Sequence, residues 1–247
     1  MSAQLFSAPD EEYLVHIKRC EKKLNTIYPL FADTIKRIFK NNLSPTAVKK
    51  YFSDMILFHD LGKLTTRWQE TLGKKQKSPA HAPIGAAYLY KMFTGQNIPD
   101  DFKNALCFAV AIHHTDKGVL GDNIERPDVQ AITDQIVDFA GNIIWHSEVQ
   151  NLDAPYFPKD ALPLNIQDLK AMARGFRLWA KGCELIIQHQ RRVQAAFAHH
   201  ILKLCDISAA TERKEFKKED EQDYYGGGLM VENIKDYVAK ISARAKR

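Results

Sequence analysis

The sequence predicts an all-α protein. Apolar residues recur every three or four positions through most of the chain, and no stretch alternates apolar and polar residues between turn residues as a half-buried strand would. Only 10 prolines and 12 glycines interrupt the 247 residues, of which 45% are hydrophobic and 26% charged, a composition typical of globular proteins. We expect one domain over residues 1–247, with a core over 10–211 and a C-terminal loop and helix over 212–247.

Helix boundaries follow from these periodic stretches and the turn residues between them. A first helix is expected over 10–40 with a break at Pro29, because proline inside a helix removes a backbone hydrogen bond. Ser44-Pro45 is a start signal for the second, which should end near His59, before Gly62. Further helices are expected over 64–72, 82–93, 101–113, 127–140, 166–181, 184–210 and 231–245, with long loops over 118–126 and 151–163.

The sequence argues against several classes of protein. The longest apolar run, Ala105–Ile112, is far shorter than the ~18 residues that cross a bilayer, and the segment MSAQLFSAPDEE lacks the regions of a signal peptide. The four cysteines form no CxxC pair. We therefore expect a cytoplasmic protein with no membrane partner and with mostly buried, reduced thiols. Neither GxxxxGKS nor GxxxxGKT occurs, so any ATP-driven unwinding must come from another protein.

Positive charge is concentrated in the first half of the chain. Lysine and arginine exceed aspartate and glutamate by 35 to 30 overall, and residues 1–117 hold 17 of the basic against 11 of the acidic side chains. A basic stretch opposed only by Glu70 could follow a nucleic-acid backbone, with Trp68 either interleaved or, most simply, a core or half-buried aromatic. The alternative for its lysines is an exposed, solvated loop. The candidate nucleic-acid contacts are Arg67, Lys74, Lys75 and Lys77.

Histidine and aspartate residues lie at predicted helix ends. The pairs His59-Asp60 and His113-His114 each precede a glycine or polar turn, where two neighbouring side chains can reach one cleft although they point about 100° apart. Imidazole and carboxylate ligands favour ions such as Mn, Fe, Co, Ni or Zn, and Asp60 could bridge two of them. Asp206 is the best candidate for a second carboxylate, because an acid rarely lies among apolar helix residues.

The order of these residues resembles the HD phosphohydrolase superfamily. The motifs are His16, then HDLGK at 59–63, then His81 in HAPIGAAYL, then the doubled histidine in AIHHTDKG, then Asp206. Within the superfamily, the chain looks like the stand-alone HD nuclease subunit of type I CRISPR systems. The resemblance implies an HD-domain helical bundle with a metal site where helix ends converge.

The same resemblance implies a reaction and a set of partners. One or two divalent ions (Mn, Ni, Co, Fe or Mg) would support cleavage of single-stranded DNA, together with a separate CRISPR helicase subunit and a crRNA-guided surveillance complex. Asp60 would be catalytic by holding the ions and the attacking water, and Lys63 by lying beside the scissile phosphate. The implied ligands are His16, His59, Asp60 and Asp206 for one ion, and Asp60, His81, His113 and His114 for the other.

Two other functions remain open from the sequence. An HD phosphohydrolase acting on nucleotides or cyclic nucleotides would use the same metals, whereas an inactive helical adaptor would bind a nucleoprotein complex without metal. Histidines near a helix C-terminus can also simply favour the helix dipole. Four more histidines, His146, His189, His199 and His200, are expected to have no role in the site. Because imidazole binds metal only when neutral, metal affinity should fall below a pH of about 6.5.

Overall fold

The fold confirms the all-α prediction. A computed structural model describes residues 4–40, 42–75, 78–114, 136–181 and 183–212, together with Tyr237 and Ala243. Within the described ranges, short 3-10 helices at Leu61–Leu64, Ser147–Asn151 and Lys159–Ala161 connect the longer elements. The α-helices whose bounds lie in these ranges are α1 (Tyr13–Phe39), α2 (Pro45–Phe58), α3 (Thr66–Thr71), α4 (Ala82–Thr94), α5 (Asp100–Ala111), α6 (Ile166–Ala180) and α7 (Leu185–Ala210).

A small hairpin precedes the first helix and was not predicted. Its strands, β1 (Phe6–Ala8) and β2 (Glu11–Glu12), pair antiparallel. Strands of three and two residues are too short to show the alternation from which strands are predicted. The hairpin leads directly into α1, where the Tyr13 N–H donates to the Leu5 carbonyl at 2.8 Å. It therefore places Glu11 beside the first turns of α1.

Helix α1 does not break at Pro29, so that part of the prediction was wrong. The helix begins at Tyr13 and continues to Phe39, and apolar side chains on both sides of the proline, such as Ile27 and Ile35, are almost completely buried. A proline inside a helix costs about 3 kcal/mol. Burial of two such side chains recovers a similar amount, about 1.5–3 kcal/mol each.

The other described helix boundaries fall close to the predicted ones, with an exception at residues 136–140. Ser44 caps α2 by accepting a hydrogen bond from the Ala47 N–H at 3.2 Å, and α2 ends at Phe58. Residues 136–140 were predicted to be helical and are not, since Val137 pairs with Ile143 as an isolated bridge. The rest of that predicted helix, the loop over 118–126 and most of 231–245 lie outside the described residues.

Helices α1, α5 and α7 form the centre of the bundle. Helix α7 packs against both α1 and α5, while α4 packs between α5 and α6, and α2 packs against α1. An aromatic cluster fills the space between them, with the Phe102 ring 4.9 Å from that of Phe39 and 6.0 Å from that of Phe52. This packing brings the ends of α2, α4 and α5 together against α1 and α7. In the described part of the chain, every helix is too short or too polar to cross a bilayer.

Two glycines of the motifs allow the close approach of these helix ends. A Cβ at Gly62 would overlap the backbone of His81, and a Cβ at Gly85 would overlap the carbonyl oxygen of Phe58. Neither overlap could be relieved by turning a side chain, because the opposing atoms belong to the backbone. The glycines in HDLGK and HAPIG therefore set the distance between the end of α2 and the start of α4.

Candidate metal centre

His59 and His113 are each held by a hydrogen bond from the ring to a backbone carbonyl. Each lies at a helix end, and each has its Nδ1 2.7 Å from a carbonyl oxygen three residues earlier, that of Ile56 or Val110. A carbonyl can only accept, so both rings carry a proton on Nδ1, and Nε2 is the nitrogen that faces the other residues of the site. Both Nε2 atoms are buried and have no hydrogen-bond donor among the described residues.

Asp60 lies at the centre of the converging rings. It is 1% exposed. Its Oδ1 lies 3.1 Å from Nε2 of His81 and 3.4 Å from Nε2 of His113. Its Oδ2 lies 3.3 Å from Nε2 of His16 and 3.5 Å from Nε2 of His59. The two oxygens therefore face two different sets of histidines, as a bridging carboxylate requires.

The donor atoms fit a bound cation. Nε2 of His59 and Nε2 of His113 lie 3.5 and 3.4 Å from the Asp60 carboxylate, and nitrogen and oxygen donors at such separations can share a bound cation. Burial by itself raises the pKa of Asp60, but the nearby His59 and Lys63 outweigh burial and hold that pKa well below its usual range. Asp60 is therefore ionised and available as a ligand.

The donors form two groups, which we call the inner and the outer group. In each group all ligand atoms lie within 4.8 Å of one another. All four side chains of the inner group are buried, whereas the outer group reaches the surface through exposed His114 and through His81, whose side chain is 12% exposed. The inner group is His16, Cys20, His59 and Asp206, and the outer group is Asp60, His81, His113 and His114.

The structure thus brings all seven predicted ligands together, and it adds Cys20. The outer group has the membership that the sequence implied. In the inner group, Oδ1 of Asp206 lies 3.2 Å from Nε2 of His16, and Sγ of Cys20 lies 3.5 Å from the same nitrogen. Cys20 is four residues after His16, so the two share a face of α1. That spacing was the signal by which the sequence could have shown it.

Glu11 is a second residue that the sequence reading missed. Its Oε2 lies 3.1 Å from Nδ1 of His16, and its Oε1 accepts from Arg19 at 2.7 Å. Burial lowers the pKa of His16, but the acidic groups of Cys20, Asp206 and Glu11 outweigh burial and raise it well above its ordinary value. The contact favours a proton on Nδ1, so that Nε2 faces the inner group.

Lys63 lies inside the cluster. It is 6% exposed, and its Nζ lies 2.7 Å from Oδ2 of Asp60 and 5.6 Å from the centre of the Trp68 ring. Trp68 is itself 4% exposed, with its ring against that of His81. Of the two interpretations of Trp68, interleaved with a nucleic acid or a core aromatic, the structure shows the core aromatic, whose indole supports the site.

The predicted nucleic-acid contacts lie on both sides of Trp68 along the chain. Arg67 is half-buried with its guanidinium 3.9 Å from Glu70. Lys74 and Lys75 are exposed just after α3. Lys77 lies outside the described residues. Nothing in this arrangement tests the contacts, which remain predictions.

Comparison with known proteins supports the fold. One of the solved structures that match is the CRISPR-associated Cas3 HD domain protein from Methanocaldococcus jannaschii, with 15% sequence identity and a TM-score of 0.64, over 81% of this chain and 98% of that one. At this identity the likeness establishes the fold, and it confirms the HD-domain fold that the order of motifs implied. No family model and no curated protein sequence matches the chain.

Proposed function

We propose that this protein is a metal-dependent nuclease of the CRISPR HD type that hydrolyses single-stranded DNA. The observation that carries the proposal is the position of Asp60, whose two oxygens face two different sets of histidine nitrogens. Phosphodiester hydrolysis commonly uses such a pair of cation sites bridged by a carboxylate. The shared fold with a CRISPR-associated HD domain supports the same class of reaction.

The residues of the site suit the charge changes of this reaction. Divalent ions bound here would neutralise charge on the phosphodiester oxygens and lower the pKa of the attacking water. His81 and His114 face the exposed side, where a DNA strand can approach, while His16 and His59 are fully buried. Lys63 adds a positive charge at Asp60 and can turn from that carboxylate to a phosphate oxygen.

The expected substrate path crosses the basic segment after the 3-10 helix at Leu61–Leu64. Arg67, Lys74 and Lys75 can contact phosphates without reading sequence, because their charges are recognised by any nucleic-acid backbone. With Trp68 in the core, base stacking on that ring does not contribute. Since the sequence has no P-loop, the proposed route to single-stranded DNA is a separate helicase acting at a crRNA-guided complex.

Replacement of Asp60 or His59 by alanine tests the proposal. The purified protein with manganese should degrade single-stranded DNA, and Asp60→Ala or His59→Ala should reduce degradation to background while the far-ultraviolet circular dichroism stays helical. The matched control is Asp54→Ala, which removes a carboxylate on α2 that pairs with Lys50. DNA degradation unchanged in either site variant, or absent from the unmodified protein, would refute the nuclease. Hydrolysis of a nucleotide panel without DNA cleavage would instead identify a phosphohydrolase.

The basic segment is tested by salt dependence. Lys74→Ala and Lys75→Ala should each weaken DNA binding and reduce the slope of log affinity against log salt by about one. Lys170→Ala, on the exposed face of α6, is the control that should change neither. Binding that keeps its affinity and its slope in both variants would remove this segment from the proposed path.

A further inference from the structure

We propose that Cys20 is a metal ligand, so that the inner group binds its ion through sulfur as well as through nitrogen and oxygen. The expected occupant is a thiophilic ion such as zinc or cobalt. This inference rests on the metal-binding part of the proposed function and is independent of the substrate. It assigns to Cys20 a role that the order of HD motifs does not imply.

Two separations in the inner group agree with those of ligands on one ion, while Nε2 of His59, 3.9 Å from Oδ1 of Asp206, would move a few tenths of an ångström closer. Zinc lies about 2.3 Å from sulfur and about 2.0–2.1 Å from histidine nitrogen or carboxylate oxygen in tetrahedral sites. Those bond lengths place a sulfur and a nitrogen ligand about 3.5 Å apart, and a nitrogen and an oxygen ligand about 3.3 Å apart. The observed separations from Nε2 of His16 are 3.5 Å to Sγ of Cys20 and 3.2 Å to Oδ1 of Asp206.

The position of Cys20 distinguishes it from the other buried thiols. Cys20, Cys107 and Cys205 are each 0% exposed, but only Cys20 belongs to a group of ligand atoms among the described residues. Cys205 precedes a ligand on α7 without joining the group. Sγ of Cys20 contacts Nε2 of His16, and an ion held by both atoms would take the place of that contact, because a coordinating thiol is deprotonated outright.

A sulfur ligand makes the two groups chemically different. Thiolate selects soft or borderline ions, whereas the nitrogen and oxygen donors of the outer group also suit manganese, iron or nickel. The inner group is closed, since all four of its side chains are buried, while the outer group has an exposed side. Closed sites are typical of ions that stay bound, and open ones of ions that meet substrate.

Cobalt titration of the metal-free protein tests the proposal. The unmodified protein should develop the near-ultraviolet charge-transfer absorption of a thiolate–cobalt bond together with the visible bands of cobalt. Cys20→Ser should lose the near-ultraviolet absorption, keep visible bands, and bind zinc at least tenfold more weakly. Cys107→Ser, which changes a buried thiol on α5 outside the group, should keep both sets of bands and its zinc affinity.

The outcomes separate this inference from the proposed function. Cobalt binding by the unmodified protein without thiolate absorption would overturn the role of Cys20 and leave the nuclease intact. No cobalt binding at all would overturn both. If Cys20→Ser fails to fold, zinc X-ray absorption of the unmodified protein decides: a sulfur neighbour at about 2.3 Å supports the proposal, and nitrogen and oxygen neighbours alone overturn it.

Discussion

Glu11 lies with its Oε2 3.1 Å from Nδ1 of His16, so an acid of the N-terminal hairpin orients a histidine of the inner group. Residues that hold a metal-binding histidine by its second nitrogen fix both the ring and its tautomer. Arg19 in turn contacts the other oxygen of Glu11. The hairpin is therefore part of the site, although it contributes no ligand.

Replacement of Glu11 should weaken metal binding without removing it. Glu11→Gln loses the negative charge that favours a proton on Nδ1 of His16, so we expect zinc affinity to fall about 10- to 100-fold. Competition with a chromophoric chelator measures the change. Asp10→Asn removes an exposed carboxylate from the same hairpin and should leave the affinity unchanged. Equal affinity in the two variants would contradict a positioning role for Glu11.

Gly62 and Gly85 should not tolerate a methyl group. Gly62→Ala or Gly85→Ala forces backbone against backbone, and we expect each to lower the free energy of unfolding by about 1–3 kcal/mol and to weaken binding at the outer group. Urea denaturation and metal titration measure the two effects. Gly95→Ala is the control, because its Cβ would meet nothing within 4 Å and its φ is −84°. A loss of stability as large in Gly95→Ala would contradict the explanation.

His199 should make stability depend on pH. Burial, with a smaller effect of Lys203, lowers its pKa to about 4, against about 6.5 when unfolded. The unfolded chain therefore binds a proton first, and the free energy of unfolding should fall as the pH drops from 6.5 to 4. A difference of about 2.5 pKa units corresponds to a change of roughly 3 kcal/mol in the free energy of unfolding. Because the ring is partly exposed, screening by solvent reduces this change to about 1–2 kcal/mol.

Urea denaturation in chelator at several pH values can isolate this contribution. Between pH 6.5 and 4, the free energy of unfolding of His199→Leu should fall by about 1–2 kcal/mol less than that of the unmodified protein. His189→Leu, at an exposed position on the same helix, should behave like the unmodified protein. The attribution to His199 fails if its variant shows the full pH dependence.

Metal removal should destabilise the protein. An ion present at 100 times its dissociation constant adds about 2.7 kcal/mol to the free energy of unfolding, which for a chain of this length shifts Tm by about 5–10 °C. We therefore expect a chelator to lower Tm and added zinc to restore it. Asp60→Ala should show a smaller shift, because it removes the bridging carboxylate. An unchanged Tm in the unmodified protein would argue against a tightly bound ion.

The sequence predicted those parts of the fold that depend on local signals. Ser44-Pro45 begins a helix because a cap and a fixed φ act within one turn. The continuity of α1 through Pro29 depends on tertiary burial of side chains on either side, which the proline itself does not reveal. The strands at Phe6–Ala8 and Glu11–Glu12 are too short to leave a pattern.

The candidate site was predicted where residue type and order carried the information. Positions at predicted helix ends singled out Asp60 and the histidine pairs, the resemblance to the HD superfamily implied the full ligand set, and the structure brings the donor atoms together. Cys20 and Glu11 were missed, since a lone cysteine and an acid near the N-terminus are common without any role. For Trp68 the sequence left open a surface among basic residues or a position in the core, and contacts with Lys63 and His81 bury it.

The complete enclosure of the inner group has a consequence for how the protein acquires its ions. A cation can leave or enter that position only when the surrounding packing opens, so exchange there is limited by fluctuations of the fold and not by affinity. The ion in freshly isolated material then records what was available while the chain was folding in the cell. We therefore expect cobalt or zinc to enter the folded metal-free protein slowly, so that titrations need long incubation, and refolding in a defined metal is the faster way to prepare a chosen occupant.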